Sequence, residues 1–208
     1  MASQSVAESG FSAANCFTGG GNMGALMRVH DWAGTPLGPV ESWPQSLRTT
    51  VSTCLNSRFA ILIWWGPELV MLYNDAYREI IGSKHPAALG MPGRDCFPEI
   101  WHIIGPMLDG VMSRGEATRS DDLPLYLERH GYAEECYFTF SYSPIRDETG
   151  GVGGVFTPVA ETTEKVIGAR RLQKADGRGA TPGKHRPSGR RWMRAVDAPP
   201  RRRDRCPN

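Results

Sequence analysis

The tightest constraint in this sequence lies between residues 59 and 75. Phe59-Ala-Ile-Leu-Ile-Trp-Trp65 and Glu68-Leu-Val-Met-Leu-Tyr73 are two β-prone runs separated only by Gly66-Pro67, and so short a break makes them two strands joined by a tight turn. Asn74-Asp75 follows at once. Asn and Asp side chains accept hydrogen bonds from the free N–H groups of a first helical turn, so the second strand hands directly to a helix. That helix is expected to run through Ile81 and stop at Gly82.

The other elements arrange themselves around this hairpin. Upstream, Trp43, Leu47, Val51 and Leu55 recur at steps of four within 41–56, which predicts an amphipathic helix with Ser42 as cap and Pro44 in its first turn. Residues 22–39 read as a short helix and an ordered loop. Downstream, Pro86, Gly90, Pro92 and Gly93 break the chain, residues 97–104 give a helical turn or two, and Pro106 opens a further helix through Met112. Residues 117–129 form a strand bulged near Pro124, and His130-Gly131 a turn. From Cys136 to Ser143 the residues alternate, Cys136, Phe138, Phe140 and Tyr142 on one side and Tyr137, Thr139, Ser141 and Ser143 on the other, the period of a half-buried strand. Asp147 to Gly151 turns the chain into a last strand, 152–159. Hairpins at both ends with helices between them give an α+β fold, a five-stranded antiparallel sheet with helices on one face, preceded by an N-terminal amphipathic helix.

Charge divides the chain unevenly. A net +2 over 208 residues combines 11 Lys/Arg against 19 Asp/Glu in residues 1–168 with 13 against 3 in residues 169–208, that is, −8 and +10. Residues 174–208 are rich in Arg, Pro and Gly and cannot bury a core. Two readings of them stay open. One is a disordered basic tail that contacts nucleic acid or an acidic partner; the other is a shift of reading frame after about Leu172. Residues 1–22 are small and polar and read as a flexible leader. The five cysteines are scattered, without a Cys-x-x-Cys pair, so neither a disulfide scaffold nor a zinc site is expected. The start lacks the basic and apolar regions of a signal peptide, and the longest apolar run, Phe59–Trp65, is far short of a membrane span. The expectation is a cytoplasmic protein with no membrane contact.

The order of elements is similar to the PAS fold, a sensory and interaction module. Leu72-Tyr73-Asn74-Asp75-Ala76-Tyr77 resembles the PAS passage from second strand to first helix, and Ala88-Leu89-Gly90 the loop beyond it. Phe140 to Asp147 with Gly150 to Val155 resembles the terminal hairpin. Glu161-Thr162-Thr163 occupies the place of the acidic-x-Thr signature that starts a signalling helix. Asp31-Trp32, Thr35-Pro36-Leu37-Gly38 and Trp43-Pro44-Gln45-Ser46-Leu47-Arg48 are similar to a group of bacterial PAS/GAF hybrid sensor histidine kinases. The resemblance implies a helical cap over 23–57, a PAS domain over 58–163 and the start of a signalling helix over 164–173. It also implies a two-component sensory role, a small-molecule ligand, homodimerisation through the sheet or exit helix, and transmission through Glu161, Thr162 and Thr163. No phosphoacceptor segment or ATP-binding box is present in the sequence, so the chain is not expected to be an enzyme.

Candidate site residues have plain alternatives. The resemblance makes Tyr73, Trp101, Phe138, Phe140 and Tyr142 pocket candidates, although such aromatics are ordinarily core. Gly93-Arg94-Asp95-Cys96-Phe97 has a superficial likeness to the run in which a cysteine attacks flavin, yet Asp95 replaces an Asn, the Arg after the cysteine is missing, and Pro98 and Glu99 stand where Leu and Gln belong; Cys96 otherwise reads as a small buried thiol. His85 and His102 are the residues placed for a haem, with a loop and an exposed helix face as their plainer reading. No cofactor is expected, and nucleic acid only through the basic tail.

Overall fold

The structure, a computed structural model, describes residues 13–176. Helices α1 (Gly21–Val29) and α2 (Gln45–Leu55) lead into the hairpin β1 (Ile61–Trp65) and β2 (Val70–Tyr73), then α3 (Asp75–Ile81), α4 (Gly93–Cys96) and α5 (Trp101–Arg114). Strands β3 (Thr118–Leu127), β4 (Glu134–Arg146) and β5 (Val152–Glu161) follow, and α6 (Thr163–Asp176) leaves the domain. The sheet is fully antiparallel with order β2-β1-β5-β4-β3, the α+β architecture expected. A first compact unit ends at Ala169; of the second, which begins at Arg170, the described residues are the last turns of α6.

All five residues of β1 are buried, and strand geometry sends them to opposite faces. Leu62 and Trp64 face α3 and α5. Ile61 and Ile63 face the other way and are covered at this end of the sheet by α2, which packs on β1 and β2. The amphipathic stripe of α2 explains the burial, since Leu47, Val51 and Leu55 are its buried residues. Its start differs from expectation. Ser42 donates its hydroxyl to the Pro39 carbonyl at 2.7 Å, and the helix begins at Gln45. The cap comes instead from Glu148 in the β4–β5 turn, whose carboxylate accepts from the Ser46 N–H at 2.7 Å and hydroxyl at 3.1 Å.

Two further expectations are corrected. The flexible leader over 1–22 gives way over its described part: residues 13–17 form a helical turn, and Cys16 and Phe17 are buried. The Phe17 ring lies 6.1 Å from Trp32 and edge-on to Trp43 at 5.7 Å, so one bulky residue in polar surroundings anchors the segment. Gly19, Gly20 and Gly21 all have positive φ and form a tight turn into α1. Helix α5 runs unbroken through Pro106 where a new helix was expected. The hydrogen bond that proline forfeits is to the carbonyl of His102, and both residues lie on the exposed face of the helix, where that carbonyl is open to solvent. Ile104, Leu108 and Val111, on the opposite side, keep the helix seated. The bulge in β3 falls between Ser120 and Leu123, with Asp122 at φ 48°, just before Pro124. The expected basic tail over 174–208 lies outside the described residues from 177 onward; residues 174–176 belong to α6.

Asn74 organises the junction of these elements. Its Oδ1 accepts from Ile61 N–H at 3.1 Å and caps α3 through Tyr77 N–H at 3.2 Å. Its Nδ2 donates to the carbonyls of Cys54, Ser57 and Phe59 at 3.1, 3.3 and 2.7 Å. Replacing it with alanine removes a helix cap and strands several buried backbone groups, so Asn74→Ala is expected to cost about 3 kcal/mol. Asn74→Asp keeps both acceptor roles but sets a carboxylate against three carbonyls, and is expected to destabilise at least as much. Urea denaturation of both variants tests this; a neutral Asn74→Asp would reduce Asn74 to an ordinary cap.

Candidate functional site

Between the inner sheet face and the helices lies a chamber of about 50 Å³. Its sheet wall is Leu62 and Trp64 from β1, Leu125 and Leu127 from β3, Phe138, Phe140 and Tyr142 from β4, and Thr157 and Val159 from β5. Tyr77 and Ile80 from α3, with Phe97, Ile100 and Ile104, form the helical wall. No lining residue carries a formal charge. The Trp64 indole N–H donates to the Thr157 hydroxyl at 3.1 Å, fixing both side chains on the wall.

The helical wall is tied to the sheet from outside the chamber. Lys84 Nζ donates to the Cys96 carbonyl at 2.5 Å and to Glu99 Oε1 at 2.8 Å, and the same Glu99 oxygen accepts from the Glu128 N–H at 3.2 Å. The ammonium also sits 5.0 Å from the centre of the Phe97 ring, a cation–π contact on a lining residue.

Of the pocket candidates, Phe138, Phe140 and Tyr142 line the chamber, as the alternation along β4 places them. Tyr73 and Trp101 do not. The Tyr73 hydroxyl is 3.0 Å from His85 Nδ1. Trp101 packs beside Trp64, with ring centres 6.3 Å apart, against Gly93 and Gly105. A Cβ at Gly93 would fall 2.4 Å from the Trp64 ring, so glycine is required by close approach. Tyr77 and Thr157 are lining residues that sequence reasoning passed over. Tyr77 was visible as the end of the Asn74-Asp75-Ala76-Tyr77 motif; Thr157 had no local signal.

The residues present do not fit flavin or haem. Cys96 is buried outside the lining set, and burial pushes its thiol up to about 12, far from the thiolate a nucleophile needs. The chamber is several-fold smaller than the 300–1,000 Å³ typical of cofactor and ligand sites. His85 is engaged with Tyr73, His102 is exposed, and the lining contains no His, Cys or Met to ligate iron. Among the described residues no group of three or more His, Cys, Asp or Glu is placed to hold a metal ion. No described helix is long and apolar enough to cross a membrane.

One polar network joins the chamber wall to α6. Arg129, 9% exposed, donates from Nη1 to the carbonyl of Ile80, a lining residue, at 3.2 Å. The same guanidinium grips Glu161 through two bonds of 2.8 and 2.9 Å and reaches Glu134 at 3.3 Å. Glu134 is thus a partner of a buried charge. Burial alone raises the Glu161 carboxyl, but hydrogen bonds from Arg129 and Thr163 and the guanidinium charge outweigh it and hold the group below its usual value. Thr163 Oγ1 donates to Glu161 at 2.8 Å and accepts from Tyr137 N–H at 2.9 Å, while Thr162 N–H donates to the Tyr137 carbonyl at 2.7 Å. Glu161, Thr162 and Thr163 therefore lie together at the base of α6. Arg129 completes the set, and nothing in its local sequence distinguished it from an ordinary turn-flanking residue.

A sequence profile described as PAS fold matches residues 55–167. Comparison with curated protein sequences gave no match. Among solved structures the chain is similar to an RNA-binding light-oxygen-voltage receptor, at 20% identity and TM-score 0.47, over 69% of this chain and 41% of that one. It is also similar to the PAS domain of Bordetella pertussis BvgS (20% identity, TM-score 0.41, 64% of this chain and 99% of that). A third likeness is to a sensory box sensor histidine kinase from Vibrio cholerae (20% identity, TM-score 0.38, 55% of this chain and 88% of that).

The Arg129–Glu161 pair is open to direct test. Breaking a fully buried pair costs roughly 3–5 kcal/mol. Glu161 keeps 29% of its side chain exposed, so Arg129→Ala is expected to cost about 2 kcal/mol at neutral pH. Because the folded carboxyl is held below its usual value, the stability it contributes is present above the unfolded carboxyl's pKa and lost as pH falls through the lowered folded one. Glu161→Gln should therefore flatten the stability profile in that acid window, and urea titrations of both proteins across it measure the difference.

Proposed function

The chain belongs to the PAS fold family, and from that premise we propose that it is the sensory and regulatory module of a histidine-kinase-type, two-component signalling protein. In this reading a small molecule in the chamber shifts the helical wall against the sheet, and the shift reaches α6. The observation that carries it is Arg129, which bonds at once to the backbone of a chamber-lining residue and to the carboxylate at the foot of the outgoing helix. A ligand biases such an arrangement only by the difference in its affinity for the two states.

The module acts as a cytoplasmic homodimer in this proposal. The outer face of the sheet around Phe59, which is 79% exposed, with Thr139, Ser141, Pro158 and Ala160 nearby, supports pairing there. Its part is regulatory and not catalytic: the chamber walls offer no nucleophile activated by a base, and the nucleotide-handling machinery of a kinase would be supplied by other modules.

The reading is tested by fusing residues 1–172 ahead of the phosphoacceptor helix pair and ATP-binding domain of a histidine kinase and following autophosphorylation. Arg129→Ala should change the rate by about 5-fold or more, the lower range of allosteric couplings. An unchanged rate in a folded fusion would overturn the proposed route from chamber to helix.

A further inference from the structure

The hydroxyls of the chamber are unevenly served. Tyr73, outside it, has His85 as partner. Tyr77 and Tyr142, which line it, are 6% and 3% exposed, and neither hydroxyl has a hydrogen-bond partner among the described residues. Burial raises both phenols above their ordinary value, with the neighbouring Tyr142 adding to the effect on Tyr77. Both therefore stand as neutral O–H donors. Thr157 is the third hydroxyl, its oxygen already accepting from Trp64. Native interiors pair nearly all their polar groups with protein or water, so two phenols without a protein partner on residues lining one void are donors available to a molecule that enters it.

The walls limit what that is. With no charged residue in the lining, an ionised ligand would be desolvated without compensation. The aliphatic and aromatic surroundings favour an apolar body. The volume, about 50 Å³, is smaller than the 150 Å³ of an engineered cavity that accepts benzene, so a single ring already has to part the side chains.

We propose that the chamber takes a small, uncharged ligand of about one ring, bearing a hydrogen-bond acceptor such as a carbonyl oxygen or ring nitrogen, which Tyr77 and Tyr142 receive. This rests on the reading of the chamber as a ligand site and adds the chemistry of the ligand. Binding an acceptor satisfies the two phenols, whereas an isosteric hydrocarbon leaves them buried and unpaired, the situation in which polar sites discriminate most strongly.

Pyridine and benzene are suitable probes, since they differ by one acceptor atom at nearly constant size. The full chain, mildly alkaline so that pyridine is uncharged, is titrated with each while the methyl resonances of Ile80, Leu125 and Val159 are followed. The same titrations are made with Tyr77→Phe/Tyr142→Phe, which removes two hydroxyls that hold no part of the fold. The expected result is that both probes shift the chamber methyls and that affinity for pyridine relative to benzene falls at least tenfold in the double variant. An unchanged ratio with both probes bound would overturn the acceptor proposal and leave the ligand chamber standing. Failure of either probe to move these methyls in the folded wild-type chain would overturn the chamber reading itself, and the proposal with it.

Discussion

Asn74 is the constraint from which the rest of the molecule follows. A single buried amide holds the end of α2, the loop into β1, the first residue of β1 and the first turn of α3. Asp75, beside it, reaches the other way and caps α1 by accepting from the N–H groups of Asn22 and Met23 at 2.8 and 3.0 Å. Two adjacent polar residues thus set four elements. They do so because a strand that ends directly in a helix leaves a concentration of unpaired backbone donors and acceptors, and burial makes each unmet one costly. With the start of α3 fixed, Tyr77 and Ile80 fall three residues apart on its chamber-facing side.

Ile80 then ties the apolar interior to the polar network. Its side chain lines the chamber while its carbonyl accepts from Arg129. A guanidinium this deeply placed requires compensation, and Glu161 and Glu134 supply it. The fork geometry matters: Arg129 grips Glu161 through two nitrogens and still has a bond for Ile80, which a lysine's compact ammonium would not reproduce. Movement of α3 relative to the sheet has to deform this network or carry Glu161 with it. Thr162 and Thr163, bound to both backbone groups of Tyr137, hold the foot of α6 on β4, so that Glu161 is the side chain there that reaches Arg129.

Local patterns made much of this visible in the sequence. The alternation from Cys136 to Ser143 located three chamber residues because a strand's two-residue period is a local property. The strand-to-helix passage at Asn74-Asp75 was legible because capping chemistry acts over three or four residues. What escaped notice depends on distance. Glu148 caps a helix about a hundred residues away, Arg129 meets Glu161 across the sheet, and Thr157 becomes a chamber residue only once β5 lies between β1 and β4. Tyr73 and Trp101 looked like pocket residues by type, yet a histidine and two glycines claim them. Pro106 misled because its cost falls on a carbonyl that faces water, and Phe17 because one aromatic ring can anchor a segment whose composition is otherwise that of a linker.

The central claim is that the state of the chamber reaches α6 through Arg129. Hydrogen exchange at the Val166 amide, which donates to the Thr162 carbonyl at 3.0 Å in the first turn of α6, tests it most directly. Ile104→Ala enlarges the chamber from its helical wall, away from Glu161. The account predicts that this change alters Val166 protection, relative to the β4 core amides, in the wild-type background and leaves it unaltered in an Arg129→Ala background. An equal change of Val166 protection in both backgrounds would contradict it.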